Sequence, residues 1–293
     1  MKTGSWKGFA LALLSGFFYG IIPLIMLSVS RSGAASGTVC SMYRMFFAGI
    51  LLLPAALFRS RKKPVTRRAL KNLCLIGIFS GVTALLLYEA FERIPSGIGI
   101  SVHYIYPLTT LLLTVLLFKE KVRKTALPAA LLVLAGVVLL CDAAALPEKP
   151  VAGLLFAVAS AFSCSIYYIL FQRLDTGDCD RTAVVSYVNL FGAATMFLYN
   201  FCTGKFTAAF TLSQWGCFVL AGVVMIGAVT AVSIAVKSIG PVTSTVLGTL
   251  EPIVCTIGSA LLLGDAITLR TGIGAALILS AVVLNAVSSQ KQV

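Results

Sequence analysis

The costliest side chains in this sequence stand in apolar surroundings. Glu251 is the single charged residue between Pro241 and Leu263, and it lies directly before a proline in "VLGTLEPIVCT". A charge at the centre of such a run costs roughly 2.5–3.5 kcal/mol on insertion scales, so Glu251 is expected to face protein rather than lipid. There it can contact a solute, act as a proton-linked gate, or accept a hydrogen bond from a neighbouring helix. Arg44 is the second costly residue. Its guanidinium suits a solute carboxylate or phosphate, or else it pairs with Glu89 near the same side. His103, the only histidine, can titrate near neutral pH or pack through a hydrogen bond. Tyr19, Tyr106, Tyr167 and Tyr168 are expected to line a pocket for an amphipathic solute. Tyr88 and Tyr104 fit either that pocket or the membrane interface.

Two prolines organise these groups. Pro107 and Pro252 lack an N–H, so each frees the carbonyl four residues back, on His103 and Gly248, and is expected to kink its helix as a hinge. Freed backbone at membrane depth is tolerated where it lines a protein-enclosed or watered cavity. Helical spacing puts Gly99, His103, Tyr106 and Thr110 on one face, and Ser244, Gly248, Glu251 and Cys255 on another. Both faces are small or polar, and the two helices are expected to face each other across a central cavity.

The elements that carry these groups are membrane spans. The chain is 59% hydrophobic and 11% charged, with a mean hydropathy of +0.99. A soluble chain would carry about a quarter charged residues. Ten apolar runs are legible, at 8–29, 38–58, 73–91, 97–118, 126–146, 151–170, 183–202, 212–236, 241–263 and 269–287. Each is close to the ~20 residues that a helix needs to cross a bilayer. The short connecting loops leave no room for a soluble domain. Seventeen Lys and Arg fall at one end of these runs and five at the other. The positive-inside rule then puts both termini in the cytoplasm. The same distribution argues against nucleic-acid binding, because the charge is split among short loops.

The eight cysteines are scattered without metal-ligand spacing. There is no P-loop, H-E-x-x-H, G-x-S-x-G or dinucleotide fingerprint. No enzyme activity, cofactor or metal is expected. Gly16/Gly20 and Gly77/Gly81 form G-x-x-x-G pairs, the mark of close helix packing.

A shift of 145 residues superposes the two halves. "GFALALLSGFFYGI" (8–21) falls on "GLLFAVASAFSCSI" (153–166), Gly77 on Gly222, Pro107 on Pro252 and Glu120 on Asp265. The repeats are expected to be 1–146 and 147–293. Five spans each is an odd number, which forces the second copy upside down relative to the first. Inverted repeats around a midplane site are a transporter architecture.

Two segments carry a family resemblance: "RIPSGIGISVHYIYPLTTLLLTVLLFKEKV" (93–122) and "SIGPVTSTVLGTLEPIVCTIGSALLLGDAI" (238–267). Each has a small-residue turn, a helix with a mid-span proline and an exit ending in an acidic residue. The chain resembles the drug/metabolite transporter superfamily, specifically its EamA-type members. Lys119 before Glu120, and Asp265 where glutamate is commoner, depart from the pattern. The resemblance implies ten helices as two inverted EamA repeats around a central cavity, working by alternating access. It leaves the small-molecule solute open among amino acids, other metabolites and sugar derivatives; amino acids or related compounds, moved outward across the cytoplasmic membrane, are expected first. A coupling proton, the lipid bilayer and a monomeric state complete the expected partners. Import or efflux of another amphipathic solute is the alternative within transport; a channel or a non-transporting scaffold is the alternative outside it.

Overall fold

A computed structural model describes residues 3–31, 33–61, 63–94, 96–119, 124–140, 151–263 and 269–290. The described residues fold into helices α1 (Thr3–Arg31), α2 (Gly37–Ser60), α3 (Arg67–Phe91), α4 (Ser96–His103), α5 (Tyr106–Phe118) and α6 (Ala126–Leu140), then α7 (Val151–Arg173), α8 (Arg181–Cys202), α9 (Leu212–Ile239), α10 (Pro241–Gly248), α11 (Glu251–Leu263) and α12 (Leu269–Gln290). Six of these are by themselves long and apolar enough to cross a bilayer. The end of the fifth apolar run, with Asp142, and the acidic residues Glu120 and Asp265 lie outside the described residues.

The expected kinks are complete breaks. The fourth and ninth spans each divide into a helix of 8 residues and a helix of 13, separated by two residues. Pro107 and Pro252 each occupy the second position of the restarted helix. There a missing N–H costs nothing, because the first turn's donors have no intrahelical partner. All four helix bounds of the first broken span map onto those of the second by the 145-residue shift seen in the sequence.

The packing repeats the same exchange of halves. α1 packs on α9 as α7 packs on α3, α2 on α9 as α8 on α3, and α1 on α10 and α11 as α7 on α4 and α5. α2 pairs with α8, and α6 with α12. Small residues permit these approaches. A Cβ on Gly16 would lie 2.6 Å from the Gly248 carbonyl oxygen, and one on Gly20 would lie 2.7 Å from that of Glu251. On α3, Gly77 and Gly81 meet the α8 backbone at Val188 and Gly192 in the same way. Lipid tails are as apolar as leucine, so close backbone contact rather than hydrophobic exclusion binds helices here. Large apolar side chains such as Leu117, Leu198 and Phe201 point outward.

Four helices open on polar caps at their loop ends. Ser36, Thr66, Asp180 and Thr211 each accept a bond from the first turn of the helix that follows, and Gln214 returns one to Thr211 as a capping box.

Candidate functional site

The repeats enclose a cavity of about 310 Å³. Eight of the residues singled out in the sequence line it: Tyr19 of α1, Arg44 of α2, Tyr88 of α3, His103 of α4, Tyr106 of α5, Tyr167 and Tyr168 of α7, and Glu251 of α11. Both broken spans deliver their groups at the break. His103 ends α4, while Tyr106 and Glu251 are the first residues of α5 and α11. The first turn of α11 favours a carboxylate, because the helix dipole places positive charge there.

Tyr104, in the opposite break, lies beside Glu251, and the charge of Arg44 acts on it from α2. Tyr106 and Tyr168 stack at 6.0 Å with their planes 20° apart. The Tyr106 hydroxyl donates to the Thr245 carbonyl at 3.4 Å. The fourth and ninth spans therefore touch through α5 and α10, as well as facing one cavity.

Five of the expected residues sit elsewhere. Gly99 packs against Phe91, where a Cβ would lie 2.8 Å from the ring. Thr110 is fully buried, with its hydroxyl 2.9 Å from the Ser165 hydroxyl and 2.7 Å from the Tyr106 carbonyl. Ser244 is buried with its hydroxyl unbonded among the described residues. Gly248 lies behind the tyrosine pair, its Cβ direction aimed at the Tyr168 and Tyr106 hydroxyls. Cys255 is half-buried on α11. The break does not divide the cavity groups, since His103 before it and Tyr106 after it both line the wall.

Arg44 and Glu89 do not pair. Glu89 accepts from Arg93 at 2.6 Å and from Lys205 at 2.7 Å, and it also bonds Tyr199. Glu92 holds Lys205 as well, at 2.7 Å. Partial burial works against the charge on Lys205, but the two carboxylates outweigh it and hold this lysine above its ordinary range. Arg44 is thereby left for the cavity, and its Nε is buried with no hydrogen-bond partner among the described residues. A buried guanidinium with an unused donor is a ready anchor for an anionic group.

Sequence reasoning left Tyr104 out of the core of the site. It is 2% exposed and lies in the break between α4 and α5. Its signal was its place two residues before Tyr106 in "HYIYP". Cys40, Cys164, Ser80, Thr83 and Met225 also line the cavity without having stood out in the sequence.

The cavity runs to one end of the molecule. Gly37 at the start of α2 and Tyr88 and Phe91 at the end of α3 line it there. The other end is filled. Thr109, Thr110 and Ser165 gather their hydroxyls around the Tyr106 carbonyl. Beyond them Phe171 is fully buried. The α7–α8 loop is then strapped to three helices, through Arg59 to Asp180 at 3.4 Å, Asn72 to the Asp175 carbonyl at 2.7 Å and Lys237 to Thr176 at 2.9 Å.

Two five-span repeats meeting at broken helices, around a cavity with charged poles, define a multi-pass membrane transporter. The EamA-like transporter family matches this chain twice, over residues 6–141 and 151–287, and the chain belongs to that family. It is similar to an uncharacterized transporter of Clostridium kluyveri, 22% identical over 97% of this chain and 94% of the relative. An uncharacterized transporter of Helicobacter pylori is 25% identical over 68% of this chain and 67% of its own length. One solved crystal structure shares the fold with a TM-score of 0.77 and 22% identity, covering 97% of this chain and 98% of that one.

Proposed function

We propose that this EamA-family protein is a secondary active transporter that exports a small metabolite, an amino acid or related compound, across the cytoplasmic membrane by alternating access. The observation that carries this reading is the one-ended cavity between the repeats, with an arginine and a glutamate in a wall that is mostly aromatic and apolar. A solute bearing both an anionic and a donor group matches such a wall. Arg44 takes the carboxylate, and Glu251 meets the amine or exchanges a proton as the solute passes. Repeats 1–146 and 147–293 move against each other about the breaks at Tyr104–Ile105 and Thr249–Leu250. With both termini cytoplasmic, as the charge distribution indicates, the cavity mouth at Gly37 and Tyr88 faces outward. The strapped α7–α8 loop is then the closed cytoplasmic gate.

Flux into liposomes holding only this protein tests the proposal. Preloaded unlabelled amino acid should accelerate entry of the labelled one at least several-fold, since a carrier returns faster when occupied. A channel passes solute without that counterflow, and a scaffold passes none; either result rejects the reading.

A further inference from the structure

His103 closes α4 and lines the cavity. Its Nδ1 lies 2.8 Å from the hydroxyl of Ser160 on α7. Ser160 is fully buried, and its hydroxyl is 2.7 Å from the Ala157 carbonyl, to which it donates. A serine hydroxyl has one proton, and a carbonyl can only accept. With that proton committed to Ala157, the contact with Nδ1 requires the proton to be on the histidine. A neutral imidazole carries a single N–H, so Nε2 is left bare. Nδ1 is turned to α7, and Nε2 is the nitrogen left for the cavity.

The neighbours of the ring give that bare nitrogen a use. Tyr104 and Tyr106 pack on the imidazole at 5.8 and 5.4 Å between ring centres. Tyr104 in turn lies beside the Glu251 carboxylate. Two acceptors, Nε2 and the carboxylate, therefore belong to one region of the wall, while Arg44 supplies the donor pole. The second repeat has no equivalent. By the 145-residue shift, Ser160 corresponds to Ser15 and His103 to Gly248. Ser15 spends its proton on the Ala228 carbonyl of α9 at 3.2 Å, and no imidazole stands at Gly248.

We infer that Ser160 fixes His103 as the Nδ1–H tautomer, so that the imidazole shows the cavity an acceptor and the transported solute meets it with an N–H or O–H donor. The solute half of this inference rests on the transport reading above; the tautomer half does not. His103 is thus a specificity-determining residue and Ser160 its positioning residue.

A single histidine makes the test direct. The full chain, carrying a tag without histidine and labelled with ¹⁵N-imidazole histidine, gives one set of ring signals in lipid nanodiscs. The expected result is a majority Nδ1–H tautomer in the wild type, and at least a twofold loss of that tautomer in Ser160→Ala. L-leucine should shift the Nε2 resonance, and 4-methylpentanoate, which lacks the amine, should not. A majority Nε2–H tautomer in the wild type overturns the inference without any variant, as does an unchanged ratio in Ser160→Ala. Equal shifts with both probes overturn donor recognition. No shift with either probe, over an Nδ1–H majority, overturns the recognition step together with the amino-acid reading. The tautomer is read before any solute is added, so the two failures are distinguishable.

Discussion

The two broken spans share one backbone and differ in what holds them. In the first, α5 is joined to α7 by hydroxyls: Ser165 donates to the Tyr106 carbonyl at 3.0 Å, and Thr109 and Thr110 close the cluster. In the second, the 145-residue shift replaces Ser165, Thr109 and Thr110 with Gly20, Val254 and Cys255. There α11 is joined to α1 by bare contact, with Gly20 against the Glu251 carbonyl and the Val254 side chain. The cavity groups diverge as well. Tyr106 stands opposite Glu251, His103 opposite Gly248, and Arg44 opposite Asn189, which is buried and bonded to its own helix at Val185. The two breaks are thus alike in backbone and unlike in the side chains that hold them and line the cavity.

Removing the charge from the second break should have the largest effect. Glu251→Gln keeps the shape and removes the charge, so it separates charge from packing. The variant is expected to fold, insert and lose most flux, at least tenfold in proteoliposomes. The pH dependence of transport should flatten, because glutamine does not titrate. Near wild-type flux with an unchanged pH profile would make the carboxylate a packing element and leave the two breaks equivalent.

Exchanging the two joints sharpens the comparison. Gly20→Ser places a Cβ 2.7 Å from the Glu251 carbonyl oxygen and 2.7 Å from the Val254 Cβ. Backbone cannot yield as a flexible side chain does, so overpacking should cost about 1–3 kcal/mol. Ser165→Gly makes the converse change in the first repeat and should cost about 1 kcal/mol, since the threonines still reach the Tyr106 carbonyl. Detergent-solubilised thermal unfolding should rank Gly20→Ser below Ser165→Gly. The reverse order would mean that the hydroxyl cluster, not the glycine contact, is the tighter joint.

Much of this was legible in residue order. The ten spans, the 145-residue repeat, the paired prolines and the cavity position of Glu251 all follow from hydropathy, spacing and the cost of a buried charge. Partnerships across the fold were not. Arg44 and Glu89 looked like the natural pair because both fall near the same side. Lys205, 116 positions along the chain from Glu89, takes that carboxylate instead. Thr110 follows Tyr106 by four residues in α5, yet the Ser165 hydroxyl of α7 takes its side chain, a partner that residue order does not show. A proline announces an interruption, but its rotation depends on neighbours that only the folded bundle supplies.

The smallest expected effect lies at the strapped end. The Thr182 hydroxyl, the Thr182 amide and Arg59 hold the Asp180 carboxyl below its usual range against slight burial. A carboxylate depressed in the folded state stabilises at neutral pH. That contribution disappears as pH falls through the ordinary carboxylate range and then through the lower folded value. Asp180→Ala should destabilise α8 by about 1 kcal/mol through loss of the cap. The deficit should shrink below about pH 4, where the wild-type carboxyl begins to protonate as well. A deficit independent of pH would place the effect in packing, and would make the α7–α8 strap unlike the capped turns elsewhere.

The pairing of helices also dictates how this chain is born. Each main partnership joins the two repeats: α2 waits for α8, α1 for α9, α3 for α7 and α6 for α12. When the ribosome has finished α6, half of the protein exists, and its helices still lack their main partners. Synthesis at about 5–20 residues per second leaves α2 exposed to lipid and to stray helices for on the order of ten seconds before α8 emerges. Gly77 and Gly81 wait during that interval with their backbone uncovered. The two sequence repeats are therefore not two folding units. The nascent first half depends on the insertion machinery for shelter until its twin arrives.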